Sequence, residues 1–327
     1  MSALFTADQI LYATASTLKS GRTDDQQGRI VWDLEDIREG DWFIAIPSQF
    51  TDPHDHLGLA LERGARGLIV NRRSRYSSAT KDATIISVAD TRTALLDLVR
   101  YWRYSVQPRV VGVAGSSGRR STMELLSQLL KDNFKTHTAF MTNLGWFGCV
   151  KDVLSMPADT QVLIFEAGAV ERGDITRIGG ALDPDLAVLT PIRHPLPSAE
   201  RDAFSASLYC ELLETLSSCP KERLAAVIYD DNAAVQKRAD EVLCGLLGQK
   251  YSQSGRGIAQ RLPQEALNVL NKAMASKGLT VSRADLWCAV EAAKALGVSK
   301  AALEKTFELD SDLSDKDAAT DSIKQLA

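Results

Sequence analysis

Residues 110–121 read Val-Val-Gly-Val-Ala-Gly-Ser-Ser-Gly-Arg-Arg-Ser. The apolar run predicts a buried strand, the glycines a tight turn, and the residues after Gly118 the first turn of a helix. A unit of this shape aims backbone N–H groups and the positive end of a helix dipole at an anion. Phosphate-binding loops continue with Lys, which reaches the β- and γ-phosphates, and Ser or Thr, which holds Mg²⁺. Arg119 and Arg120 occupy those two places here. The candidate phosphate- or anion-binding group is therefore Gly115, Ser116, Ser117, Gly118, Arg119, Arg120 and Ser121. Arg119 can pair with a phosphate, even bidentately, whereas Arg120 puts a cation where a metal ligand is needed.

The same alternation runs outward from this turn. On the C-terminal side, Val162–Glu166, Leu186–Thr190 and Ala225–Tyr229 are short apolar runs that fit buried parallel strands. A helix carrying Met123, Leu126, Leu130 and Phe134 is expected after the turn, helices at 171–181 and 203–218 between the later strands, and a helical stretch over 283–307. Strand and helix in alternation predict an α/β fold with a doubly wound, mostly parallel sheet. In such sheets ligands bind beyond the carboxyl ends of the strands, where Gly115–Ser121, Glu166 and Thr190–His194 converge. On the N-terminal side, residues 1–107 read as a smaller α/β unit. Thr6 and Gln9 form a capping-box pattern, Arg29–Trp32, Asp41–Pro47, Gly67–Val70 and Thr84–Val88 read as strands, and Asp90 caps a helix over Thr91–Tyr104. Leu57, Leu59, Leu61 and Ala65 mark a further helix. Pro108 sets the boundary, so the expected division is 1–107, 108–309 and an acidic flexible tail, 310–327.

Composition narrows the function. The chain has 327 residues, 45% of them hydrophobic and 24% charged, with a formal net charge of −4. Those are globular values, and the charge argues against a nucleic-acid surface. The five cysteines contain no CxxC pair, so reduced thiols are expected rather than a disulfide framework or a zinc site. No N-terminal apolar region or 18-residue apolar run appears, so neither a signal peptide nor a membrane span is expected, and the expected location is cytoplasmic.

The order of motifs resembles the Mur ligases, on the branch that adds D-Ala-D-Ala to a UDP-MurNAc-tripeptide. The resemblance covers roughly residues 1–309, the first two of that family's three domains. Asp33–Phe43 is similar to D-S-R-x-x-x-x-G-D-x-F, with Leu34 and Glu35 in place of Ser and Arg. Asp52-Pro53-His54-Asp55 follows in place of D-G-H-x. Gly112–Ser121 resembles G-x-x-G-x-x-G-K-T-[ST], although Val113 fails the general phosphate-loop pattern. Asn143-Leu144-Gly145 resembles the start of the substrate loop N-L-N-N, and Phe165-Glu166-Ala167-Gly168 resembles E-M-G, whose Glu holds Mg²⁺. Thr190–His194 is similar to T-N-[VI]-G-x-x-H. Tyr209 stands where the family has a carbamylated lysine, and Val281, Ser282 and Asp285 correspond to the adenine-contacting H-N-x-x-N.

The resemblance implies two metal candidates, Glu166 and His194, and a substrate loop at Asn143 and Leu144. Glu166 has a second reading, as a helix cap or an ion-pair partner of Arg119 or Arg120. His54 with Asp52 and Asp55 reads either as a metal site or as a turn network, and Trp146-Phe147 as an exposed apolar patch or a seat for the loop. The Arg72-Arg73-Ser74-Arg75 cluster reads as a solvated loop or as a contact for an acidic partner. The expectation drawn from the resemblance is that no counterpart of the family's third domain follows residue 327. With the departures at Leu34, Glu35, Arg119, Arg120, Tyr209, Val281 and Ser282, this implies a catalytically inactive homologue without a cofactor, acting as a binding or scaffold protein. Its expected partners are a second copy, another protein, or a nucleotide or UDP-linked ligand. The alternative is an active amide-forming ligase that uses ATP and Mg²⁺ and is completed by a partner chain.

Overall fold

A computed structural model describes residues 2–48, 50–73, 83–142, 145–169, 171–192, 198–218, 225–229, 232–247, 282–299 and 301–303. Asn143, Leu144, His194, Val281 and the 310–327 segment lie outside the described residues. The chain forms two compact units, one of residues 1–107 with 153–158, the other beginning at Pro108.

The first unit holds helices α1 (Ala7–Ala13), α2 (Leu57–Glu62) and α3 (Thr91–Val106). Its strands are β1 (Thr17–Ser20), β2 (Ile30–Val31), β3 (Trp42–Ile44), β4 (Gly67–Asn71) and β5 (Thr84–Val88). They form one sheet in the order β1-β5-β4-β3-β2, parallel except for β1, which runs antiparallel to β5. Thr6 and Gln9 make the expected capping box, and the Asp90 carboxylate accepts from the Thr93 N–H at 2.8 Å. Buried Asp41 accepts from Arg29 Nε at 2.9 Å and from the Arg38 N–H at 2.8 Å, which fixes the turn before β3. Residues 153–158 join this unit through bonds from the Ala3 N–H to the Leu154 carbonyl (2.8 Å) and from Trp102 Nε1 to the Met156 carbonyl (3.2 Å). Several boundaries contract relative to expectation. The strands expected at 29–32 and 41–47 pair only over Ile30–Val31 and Trp42–Ile44, and Ala65 lies past the end of α2.

The second unit is built on β6 (Arg109–Ala114), β7 (Thr136–Ala139), β8 (Val162–Ala167), β9 (Leu186–Leu189) and β10 (Ala225–Ile228). All five are parallel, in the order β10-β9-β6-β8-β7. The helices are α4 (Arg119–Leu130), α5 (Trp146–Ser155, whose last three residues belong to the first unit), α6 (Asp174–Leu182), α7 (Ala199–Tyr209), α8 (Glu211–Glu214), α9 (Ala233–Leu247) and α10 (Arg283–Ala295). Strand alternation explains the layers. Val111, Val113, Val162, Ile164, Leu186 and Val188 share one core with α4 and α10. On the opposite face, a Cβ on Gly112 would meet Leu212 of α8 at 2.7 Å. The sheet is therefore covered on both sides, as a parallel sheet must be.

The helix expected over 203–218 is instead broken: α7 ends at Tyr209, and α8 and a 3-10 turn (Thr215–Ser218) follow Cys210. The helix expected at 171–181 begins at Asp174, and Phe134 lies beyond α4 while still packing on its core. Among the described residues, no helix is long and apolar enough to cross a membrane.

Candidate functional site

Strand β6 lies between β8 and β9, so the chain crosses to opposite sides of β6 on its way to those two neighbours. The crevice beyond the carboxyl end of β6 is thus a topological switch point, where ligands bind in open α/β sheets. Residues 115–118 occupy it. Gly115 (φ +143°) and Gly118 (φ +78°) make the turn, and Gly118 caps α4. The loop that residues 110–121 predicted is present.

Its hydrogen bonds are taken by the protein itself. The N–H groups of Ser116 and Ser117 donate to the Pro191 carbonyl at 3.2 and 3.3 Å, and the Ser116 hydroxyl donates to the same oxygen at 3.1 Å. Thr190 Oγ1 donates to the Ser117 carbonyl at 2.7 Å. The segment after β9 therefore stitches the loop shut from one side.

From the other side comes α10. The Asp285 carboxylate accepts from Ser121 Oγ at 2.9 Å and from the Ser282 N–H at 3.2 Å, while Ser282 Oγ caps the Asp285 N–H at 3.2 Å. Asp285 Oδ1 lies 2.2 Å from where a Cβ on Gly118 would stand. The first turn of α4 has two cations and no acid of its own, an unfavourable pattern at the positive end of a helix dipole. Asp285, brought from α10, supplies the missing negative charge. Asp285, which the resemblance aligns with an adenine contact, has its carboxylate beside the glycine turn.

Arg119 completes the closure. Its Nε donates to Glu166 Oε1 at 2.9 Å, and its Nη1 donates to the Gly115 carbonyl. The second oxygen of Glu166 accepts from the Met141 N–H at 3.1 Å. Glu166 is buried, and both of its oxygens are engaged. Arg120 is exposed, with its guanidinium 4.9 Å from the centre of the Phe140 ring. An open cleft of about 540 Å³ lies here, lined by Arg119, Arg120, Met141, Thr142, Glu166 and Gly168 among others.

These residues do not fit Mg²⁺. A guanidinium already holds the Glu166 carboxylate, a second cation stands in the hydroxyl position, and among the described residues no cluster of three His, Cys, Asp or Glu side chains has metal-binding geometry. The loop does not fit a nucleoside triphosphate either, since two of its amides face a carbonyl and a carboxylate sits on Gly118.

Other candidates resolve locally. In the first unit, His54 Nδ1 lies 2.6 Å from Asp52 Oδ1, and His54 Nε2 accepts from the Asn71 N–H at 3.0 Å. Asn71 Oδ1 in turn accepts from the Thr91 N–H at 2.8 Å. The trio is a turn network tying α2's approach to β4 and α3. Burial pushes the Asp52 carboxyl up, but the hydrogen bonds from the His54 backbone and ring prevail and hold it below the usual range. Glu35 pairs with Arg63 at 2.8 Å. Trp146 starts α5, is buried, and stacks on Phe147 with ring centres 4.1 Å apart, which corrects the exposed-patch reading. Of the Arg72–Arg75 cluster, Ser74 and Arg75 lie outside the described residues.

Sequence reasoning missed Glu211. Its carboxylate accepts from the Gly173 N–H at 2.9 Å and the Thr176 hydroxyl at 3.2 Å, capping α6 from a distant helix. Glu211 lies two residues after Tyr209 in sequence.

Residues 113–195 match the Mur ligase middle domain. The UDP-N-acetylmuramoyl-tripeptide–D-alanyl-D-alanine ligase of Rickettsia prowazekii is 29% identical over 163 residues, which is 50% of this chain and 35% of that enzyme. A crystal structure of MurF from Acinetobacter baumannii superposes with a TM-score of 0.70 at 20% identity, covering 96% of this chain and 70% of that one. MurF from Thermotoga maritima, solved with ADP, gives a TM-score of 0.54 at 27% identity over 66% of this chain and 48% of that one. The alignment thus spans about a third of the Rickettsia enzyme's length.

Proposed function

We propose that this chain, which carries a Mur ligase middle domain on a Mur-ligase-like scaffold, is a non-catalytic homologue that works as a binding or scaffold protein. The observation that carries the reading is the closed loop: the Ser116 and Ser117 amides face the Pro191 carbonyl, and Arg119 bridges Glu166 and Gly115. A ligase of this kind must phosphorylate an acid, neutralise the developing charge with metal ions, and let an amine attack. Here an incoming triphosphate would have to displace a carbonyl and approach the Asp285 carboxylate, and a metal would have to displace Arg119. Each step costs interactions the protein already makes.

A second reading, an active amide-forming ligase using ATP and Mg²⁺, is favoured by the retained glycine turn and by the activity named for the relatives. Titration calorimetry with ATP separates the two. The non-catalytic reading expects no saturable heat at up to millimolar ATP, with or without Mg²⁺. Micromolar, Mg²⁺-dependent binding overturns it. The scaffold role further expects a homo-oligomer or a protein partner, and light scattering on the purified chain tests the first.

A further inference from the structure

The misfit between this site and a metal leaves one charge over. Arg119 is committed to Glu166 and the Gly115 carbonyl, and Asp285 to Ser121 and Ser282. Arg120 makes no ion pair among the described residues. It is held by the Phe140 ring face, a contact that orients a guanidinium without neutralising it. Its position on the cleft wall is opposite in character to Met141, Thr142 and Ala169, which are apolar or uncharged. The charges lining the cleft therefore do not cancel, and the excess is a planar fork suited to two oxygens of one acid group.

We propose that this cleft binds a small organic acid through a singly charged carboxylate, with Arg120 as its principal contact and no divalent metal. This rests on the non-catalytic reading, because it needs Arg119 to stay on Glu166. The ligand is held by side chains on the cleft wall, outside the loop amides, and the apolar wall receives the rest of the molecule. A single positive excess favours carboxylate over a phosphate dianion.

The test follows backbone amides and arginine Nε–H signals of the full chain by NMR during titration with acetate and, separately, inorganic phosphate, each with and without Mg²⁺. Saturable shifts confined to Arg120, Met141 and Thr142, unchanged by Mg²⁺ and stronger with acetate, are expected. Tighter binding of phosphate than of acetate overturns the carboxylate assignment. Arg120→Gln, an exposed substitution, should weaken binding about tenfold or more, as loss of a charged hydrogen bond does; Arg120→Lys should recover only part of it. No saturable shift, or equal binding by Arg120→Gln, overturns the inference while silence toward ATP leaves the functional reading standing. Binding of ATP that depends on Mg²⁺ overturns both.

Discussion

Arg119 Nε donates to Glu166 Oε1 at 2.9 Å, joining the first residue of α4 to the end of β8, across 47 positions of sequence. The pair sits largely out of solvent, with side chains 25% and 8% exposed. Removing one partner of such a pair strands the other's charge, which costs more than the pair is worth.

Glu166→Ala should therefore destabilise the second unit by about 2–4 kcal/mol, since Arg119 loses its counter-charge and the Met141 N–H its acceptor. Urea denaturation of the variant and the parent measures the difference. An unchanged midpoint would mean that the ion pair contributes nothing.

The Gly118–Asp285 contact predicts a coupled pair of substitutions. Gly118→Ala places a methyl group on the carboxylate and forces a left-handed conformation on alanine, a loss of about 1–3 kcal/mol. In an Asp285→Ala background the steric part disappears, so the double-mutant cycle should be non-additive by at least about 0.5 kcal/mol. Additive losses would place Asp285 away from the loop.

Acid stability should depend on Asp52. Its carboxyl is held below its unfolded value, so the contribution is present above about pH 4 and is lost as pH falls through the folded value. Asp52→Asn should flatten the acid limb of stability against pH and leave the neutral limb's slope unchanged. A parallel pair of curves would deny the His54 contact.

The buried thiols should be inert. Burial pushes the Cys210 thiol up to about 12 and raises Cys149 further, with the Asp152 and Glu166 carboxylates adding to the shift at Cys149. Thiolate is the reactive form, so Cys149, Cys210 and buried Cys288 should escape maleimide in the native protein and label fully in urea. Peptide mapping reads this, and native labelling at any of the three contradicts the packing.

Legibility varied with the physics of each element. β5 and the start of α3 were readable, because Thr84–Val88 is a compact apolar run and Asp90 is a strong cap. β1 and β7 were not. Thr17–Ser20 and Thr136–Ala139 lie at sheet edges and carry few apolar side chains, so they are strands because β5 and β8 offer a ladder. α5 was obscured by the glycines around Trp146. Glu166's pairing with an arginine was among the alternatives the sequence presented. The Pro191 carbonyl was not, since backbone acceptors leave no trace in residue identity.

By itself the sequence determined the strand, glycine turn and helix of residues 109–130, and the resemblance they carry, because apolar period and glycine placement are local properties. It also showed that Arg119 and Arg120 replace the usual lysine and hydroxyl. Tertiary structure alone decided what those arginines do. Asp285 reaches Ser121 from 164 residues away, and Pro191 reaches Ser116 from 75. Whether a phosphate cradle is open or filled depends on which groups the rest of the fold delivers to it, and that delivery is a matter of packing rather than local pattern.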